Sequence, residues 1–480
     1  MNEVFSADGG LNLALTWLND ALWTYLLIGV LVLCGLYFSW RTKFVQFRYV
    51  HEMIRVLGES VPRGSSSQSH KHVSSFQAFA VSVATRVGTG NLAGVATAIA
   101  LGGPGAVFWM WVIALIGSAT AFVESTLAQL FKRHSDDGTF VGGPAYYMLY
   151  GMRSRWMSVL FAVLLTLTFG LSYNSIQSNT ICDAMHEAFG FDRLVVGVAI
   201  TFLSLVIAFG GIRRIARVSS VLVPVMALGY FVLALVVVLM NVRLVPHMFK
   251  VIIESAFGVG QFAGGAIGAT IMMGIKRGLF SNEAGEGSAP NVAAAAHVSH
   301  PVKQGLIQAL GVFTDTLLVC SCTAFIILIS GVYDGSNLNG IVLTQASLCS
   351  QIGDWGTTFV AIAILFFAFS SIIGNYYYGE ANVRFLTHSK WVLMVYRLLS
   401  AGLMVLFGAL ASLDLVWSIG DLCMALLTMC NLVAILFLGR YAFMLLDDYR
   451  SQRRNGTRDP VFSKKKFPEI ADALEGWPEG

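Results

Sequence analysis

Eleven runs of about 20 mostly apolar residues constrain this chain more than any other feature. They lie near 21–40, 76–100, 105–131, 156–181, 194–211, 218–240, 256–275, 304–331, 357–379, 392–411 and 414–439. Each is long enough for a helix across the hydrocarbon core, where a backbone must satisfy its own hydrogen bonds. Composition agrees: 12% of residues are charged, against about 25% in a soluble chain. No basic residue precedes the first run; Glu3, Asp8 and Asp20 lie there instead. It therefore reads as a retained span and not as a cleavable signal.

The basic residues set a direction, because cytoplasmic loops collect Lys and Arg. With the N-terminus outside, inward-facing segments hold 27 of the 31 basic residues. Arg193, Arg243 and Lys250 fall outside, and Arg86 lies within a span. Adding or losing one span would scramble that pattern. The expected layout is an extracytoplasmic segment 1–20, a transmembrane domain 21–440 and a cytoplasmic tail 441–480. The basic residues of the tail can meet anionic membrane lipid.

Several functions are excluded. There is no GxxxxGK[ST] loop to hold ATP, no HExxH constellation for an intramembrane enzyme, and no room for a soluble catalytic or nucleic-acid-binding domain. The seven cysteines show no CxxC pair and read as small packing residues.

What remains is transport. Breaking a helix in lipid exposes donors and acceptors, so breaks belong where a ligand supplies their partners. Two spans are rich in glycine. The first reads Ser82-Val-Ala-Thr-Arg-Val-Gly-Thr-Gly-Asn91, and the second Ala256-Phe-Gly-Val-Gly-Gln261-Phe-Ala-Gly-Gly-Ala-Ile-Gly268. Setting the first span aside, ten remain. The two glycine-rich spans then open each half of five, as in carriers built from inverted repeats, here 76–240 and 256–439. Arg86-x4-Asn91-x-Ala-Gly94 is echoed weakly by Arg277-x4-Asn282-x-Ala-Gly285. Thr89 and Asn91 offer neutral oxygens at the first break, and Ser370, Ser371 and Asn375 offer more from the span 357–379. Ser371 and Asn375 are four residues apart and share a helix face.

Charges inside spans need partners. Arg86 stands beside the first break, with Glu124 and Asp315 as expected counter-charges in a structural or gating role. Neither glycine-rich break contains a carboxylate, which favours sodium coupling through neutral oxygens over proton coupling. A proton-coupled carrier is the alternative.

The blocks 76–112 (FQAFAVSVATRVGTGNLAGVATAIALGGPGAVFWMWV), VGGPAYYM (141–148), KRGLFSNEAGEGSAPN (276–291) and FAFSSIIGNYYYGEAN (367–382) resemble the alanine or glycine:cation symporter family. That resemblance implies an all-α, leucine-transporter-like 5+5 inverted repeat with one extra N-terminal helix. It also implies sodium-coupled uptake of alanine and glycine across a prokaryotic plasma membrane, with no organic cofactor. By motif, the carbonyls of Ala84, Val87 and Phe367 and the hydroxyls of Ser370 and Ser371 would hold sodium. Gly88, Thr89, Gly90, Asn91, Gly264, Gly265, Ala266, Ser371 and Asn375 would meet the amino acid. Many members carry tryptophan where this chain has Asn375, so the pocket is expected to admit a larger or more polar substrate than alanine, such as serine. The FSNEAGEGSAPN block is expected to latch the inner gate.

Overall fold

The computed structural model describes residues 10–59, 73–135, 138–209, 212–258 and 264–478. Almost all of them are helical. The chain is helical from Gly10 to Arg41, with Trp17–Arg41 as its apolar part (α1). A short amphipathic helix, Val50–Leu57 (α2), follows. Ser75–Arg86 (α3) starts on a reciprocal cap: Ser74 Oγ accepts Gln77 N–H, and the Gln77 side chain accepts Ser74 N–H. Val87 is extended, and the helix resumes as Gly90–Gly102 (α4). Next come Ala106–Leu130 (α5), a two-residue hairpin pairing Arg133–His134 with Phe140–Val141, and Arg155–Phe189 (α6). Gly190, with φ +67°, ends α6 in the left-handed region that glycine adopts without strain.

Asp192 caps Arg193–Ala208 (α7) by accepting two backbone N–H groups. Ile212–Met240 (α8) meets Val245–Ala256 (α9) at a 78° bend. Gly264–Asn282 (α10) and the short Ala289–Ala295 (α11) follow. The remainder is Val302–Ser330 (α12), Gly340–Ile352 (α13), Trp355–Leu386 (α14), Lys390–Leu410 (α15) and Leu413–Arg454 (α16).

Seven of the described helices are long and apolar enough to cross a membrane, and the bent pair α8–α9 is an eighth candidate. The outer surface carries exposed Phe202, Leu228, Trp391 and Phe437, as expected of a protein whose outside is solvated by lipid. Inside, α5 packs along α10 and α12, and α6 along α14 and α15. Glycines allow the closest approaches: a methyl on Gly408 would lie 2.1 Å from Ser175 O. The N-terminal helix is tied to α16, where Asn19 Nδ2 donates to Ser418 O at 2.9 Å and Trp23 Nε1 to Asp421 O at 3.3 Å.

The break expected in the glycine-rich stretch at 256–268 falls largely on residues that are not described. Residues 259–263, including Gln261, lie outside the described residues, and Gly264–Asn282 is one continuous helix. The second interruption comes later, between Asn282 and Ala289, where Glu283, Gly285 and Gly287 all have positive φ. It falls within the FSNEAGEGSAPN block, and every residue from Arg277 to Ala296 is buried. A search for 20-residue apolar runs finds 256–275 but misses the continuation, because the middle of the span is polar.

The tail also differs from expectation. The last helix continues to Arg454, and residues 455–478 run back across the molecule as a packed strap. Phe462 N–H donates to Ser299 O, Gly476 N–H to Lys132 O and Trp477 Nε1 to Gln129 O. Its own Phe462, Phe467, Ile470, Leu474 and Trp477 are buried.

Candidate functional site

The two interruptions meet in the centre of the bundle. A methyl on Gly90 would stand 3.0 Å from Ser281 Cα and 3.1 Å from the Phe280 ring. Helix α4 packs along α10, and α3 packs beside α11, so the broken segments run side by side in pairs.

At the first interruption, the freed donors find side chains. Gly88 N–H donates to Asn91 Oδ1 at 2.9 Å, and Thr89 N–H to Gln177 Oε1 at 3.0 Å. The freed acceptors face α14. Ser371 Oγ lies 3.0 Å from Ala84 O, 3.4 Å from Val87 O and 3.1 Å from Phe367 O. Ser370 Oγ lies 2.8 Å from Phe367 O and 3.3 Å from Ala84 O. Three carbonyls thus converge on two hydroxyls. Two protons cannot serve five such contacts, so the oxygens present more acceptor capacity than the protein itself fills. Gly88 is small for this reason: its methyl would meet Ser371 Oγ at 2.4 Å and Gln177 Oε1 at 2.9 Å.

Asp315 joins the two interruptions. It accepts from Asn91 Nδ2 at 2.7 Å, Ser281 Oγ at 2.8 Å and Thr316 Oγ1 at 3.0 Å. Glu124 accepts from Asn431 Nδ2 at 2.8 Å and from Gly285 N–H at 3.2 Å. Neither pairs directly with Arg86, as the sequence had led one to expect. Arg86 Nη1 reaches Gln308 O at 3.4 Å, and among the described residues no carboxylate comes within 4.0 Å of the guanidinium. Neutral donors already satisfy both acids, which removes their need for a cation.

Aromatic rings flank the interruptions. Tyr173 meets Phe280 edge-on with centroids 4.7 Å apart, and Phe280 meets Trp417 at a tilt with centroids 4.6 Å apart. Arg277 covers the Trp417 ring at 4.0 Å while it and Lys276 hold Asp421 at 2.6 and 2.9 Å.

Most of the expected site residues come together: Ala84, Val87, Gly88, Thr89, Gly90, Asn91, Phe367, Ser370 and Ser371. Asn375 is buried one turn beyond Ser371, and neither of its amide atoms has a partner among the described residues. Thr89 Oγ1, also buried, has none among them either. Gly264, Gly265 and Ala266 do not belong here. Ser281 touches Gly90, and Ala266 stands 15 residues up a continuous helix, about 22 Å away at 1.5 Å per residue. The sequence reading overlooked Gln177 and the glutamates of the second interruption. Gln177 had a signal: Ser-Tyr-Asn-Ser-Ile-Gln-Ser-Asn-Thr at 172–180 is a polar run inside an apolar span, and all of it is buried.

Comparison with known proteins bears on what this geometry serves. Residues 9–464 match the family described as the sodium:alanine symporter family. The chain belongs to that family. It is an amino-acid:cation symporter of the membrane and not an enzyme. Relatives include the probable sodium/glutamine symporter GlnT of Bacillus subtilis, 52% identical over 96% of this chain and 95% of that protein. The sodium/proton-dependent alanine carrier protein of Bacillus sp. PS3 is 38% identical over 85% of this chain and 94% of its own. Among solved structures, a manganese transporter of Eremococcus coleocola gives a TM-score of 0.53 at 16% identity, covering 87% of this chain and 96% of that one. A Na+-coupled sialic acid symporter gives 0.50 at 15%, covering 82% and 81%. At those identities the likeness concerns the fold alone.

Proposed function

We propose that this symporter imports small neutral amino acids into a prokaryotic cell, driven by sodium through alternating access. The observation that carries the reading is the convergence of Ala84 O, Val87 O, Phe367 O and the Ser370 and Ser371 hydroxyls. Five neutral oxygens at the negative end of the α3 dipole suit a hard monovalent cation. The N-terminus of α4 suits a carboxylate. There the substrate would take over the Gly88 and Thr89 N–H groups from Asn91 and Gln177. Joining α3 with α4, and α10 with α11, as two broken spans supports eleven crossings and the 5+5 inverted repeat. The distribution of basic residues supports an outside N-terminus and an inside C-terminus.

Alanine and glycine fit helices that pack this closely, and serine adds one hydroxyl. Glutamine is also a candidate, since the Asn375 amide, without a partner among the described residues, complements a carboxamide and the relative GlnT is named for glutamine. The direct experiment is uptake of labelled alanine into proteoliposomes under an imposed sodium gradient or an imposed pH gradient, with glycine, serine and glutamine as competitors. Sodium-driven uptake is expected; uptake equally fast without sodium would sink the assignment.

Proton coupling is the second reading. It gains support from the relative called a sodium/proton-dependent carrier, and from the two glutamates in the second interruption.

A further inference from the structure

Glu283 and Glu286 lie in the second interruption, buried, and nothing in the sodium cycle uses them. The buried acids around them are unequally served. Asp315 accepts three donors and Glu124 two. Glu283 accepts from Ser288 Oγ. Glu286 has a single donor, the Tyr173 hydroxyl at 3.2 Å on Oε2, and its Oε1 is buried with no partner among the described residues.

The charges facing Glu286 do not balance. Glu283 from its own loop and Glu124 from α5 act on it electrostatically, against Arg86 from α3. Asp315 of α12 acts on Glu283, and Asp421 of α16 on Tyr173. Lys276 and Arg277 are committed to Asp421. Among the described residues, the buried Arg86 has no partner for Nε and Nη2, and beside it the Gln308 amide has none on either atom. Donors and acceptors in this polar core are thus left unmatched, and none of the described ones reaches Glu286 Oε1. An anion with an unserved oxygen is the most expensive state such a site can hold, and one proton removes the cost.

We propose that Glu286 is a proton-binding site of the transport cycle, separate from the oxygens that take sodium. When the second interruption opens to water, Glu286 Oε1 exchanges a proton with it. When the interruption closes, as in this structure, the group is held neutral. One O–H bond forms on Oε1 as the proton arrives from hydronium and breaks as it returns to water, and the charge of the site changes by one. The inference rests on the carrier reading above but not on sodium being the driving ion.

The test uses the full-length protein in proteoliposomes, with sodium-driven alanine uptake measured at equal internal and external pH across the range from about 5.5 to 8.5. Wild type is expected to change severalfold across that range. Glu286→Gln is expected to stay flat, at the acid-limit rate of the wild type. A pH-sensitive dye inside the vesicles should report alanine-dependent proton movement in wild type and none in the variant. Tyr173→Phe removes the donor that favours the anion and should move the midpoint to higher pH; it keeps the test decisive if Glu286→Gln does not fold. The proposal is overturned by pH-independent wild-type uptake, by a wild-type pH profile in Glu286→Gln, or by an unshifted Tyr173→Phe. A large rise in alanine KM in Glu286→Gln with its pH profile intact would also overturn it, marking an ammonium ligand instead. Absence of sodium-driven uptake at every pH would count against the sodium assignment alone. In that case, pH-gradient-driven uptake abolished by Glu286→Gln would still support the proton site.

Discussion

A methyl group at residue 88 would stand 2.4 Å from Ser371 Oγ and 2.9 Å from Gln177 Oε1. Both obstacles are side-chain tips, which can swing aside, so the fold should tolerate Gly88→Ala. The oxygen cluster should not, because Ser371 must leave Ala84 O and Val87 O to make room. Gly88→Ala is expected to cut uptake by about tenfold or more, the size of one lost good ligand. Its thermal midpoint in detergent should stay within a few degrees of wild type. A variant that unfolds, or one with normal uptake, would contradict this account of the residue. The Ser370–Ser371 cluster was legible because hydroxyls and a broken helix leave a pattern in the chain itself. The Asn91–Asp315 contact was not, since 224 residues separate the two and only the packing of α4 on α12 joins them.

Between elements, the closest approach is of another kind. At Gly408 the added methyl would meet the Ser175 backbone, with O at 2.1 Å and Cα at 2.6 Å. Backbone cannot rotate away, so α6 and α15 must separate. Gly408→Ala should lower stability by roughly 1–3 kcal/mol, the usual cost of overpacking, seen as a lower thermal midpoint. An unchanged midpoint would mean that the helices slide apart freely. Element positions were readable where a span is long and apolar, as for α5 and α14. They fell short at the second glycine-rich span, where residues 259–263 are not described and a later interruption went unread. There the polar Asn-Glu-Ala-Gly-Glu-Gly-Ser stretch at 282–288, which resembles a loop, was the interruption. The weak Arg-x4-Asn-x-Ala-Gly echo had pointed at that stretch, because both copies lie at an interrupted helix.

For the whole molecule, the C-terminal strap adds a constraint that its charged composition concealed. Its Trp477 ring and the Phe140 ring each lie 4.1 Å from Lys132 Nζ. Burial pushes the Lys132 ammonium down to about 7, against the attraction of the two ring faces for the cation. A folded value below the ordinary value for lysine means that the docked strap binds fewer protons than the free one. Docking should therefore strengthen as pH rises above 7 and be weakest below it. Amide exchange in residues 470–478, corrected for intrinsic rates, should be slower at about pH 8.5 than at about pH 6. Lys132→Met should erase the difference, and equal protection in wild type would contradict the argument.

The central claim is that sodium sits between the first interruption and α14. The most direct measurement is the sodium concentration giving half-maximal alanine uptake in wild type and in Ser370→Ala/Ser371→Ala. The account predicts a rise of about tenfold or more, with maximal alanine uptake at least partly recovered at saturating sodium. An unchanged half-saturating concentration would place the ion elsewhere.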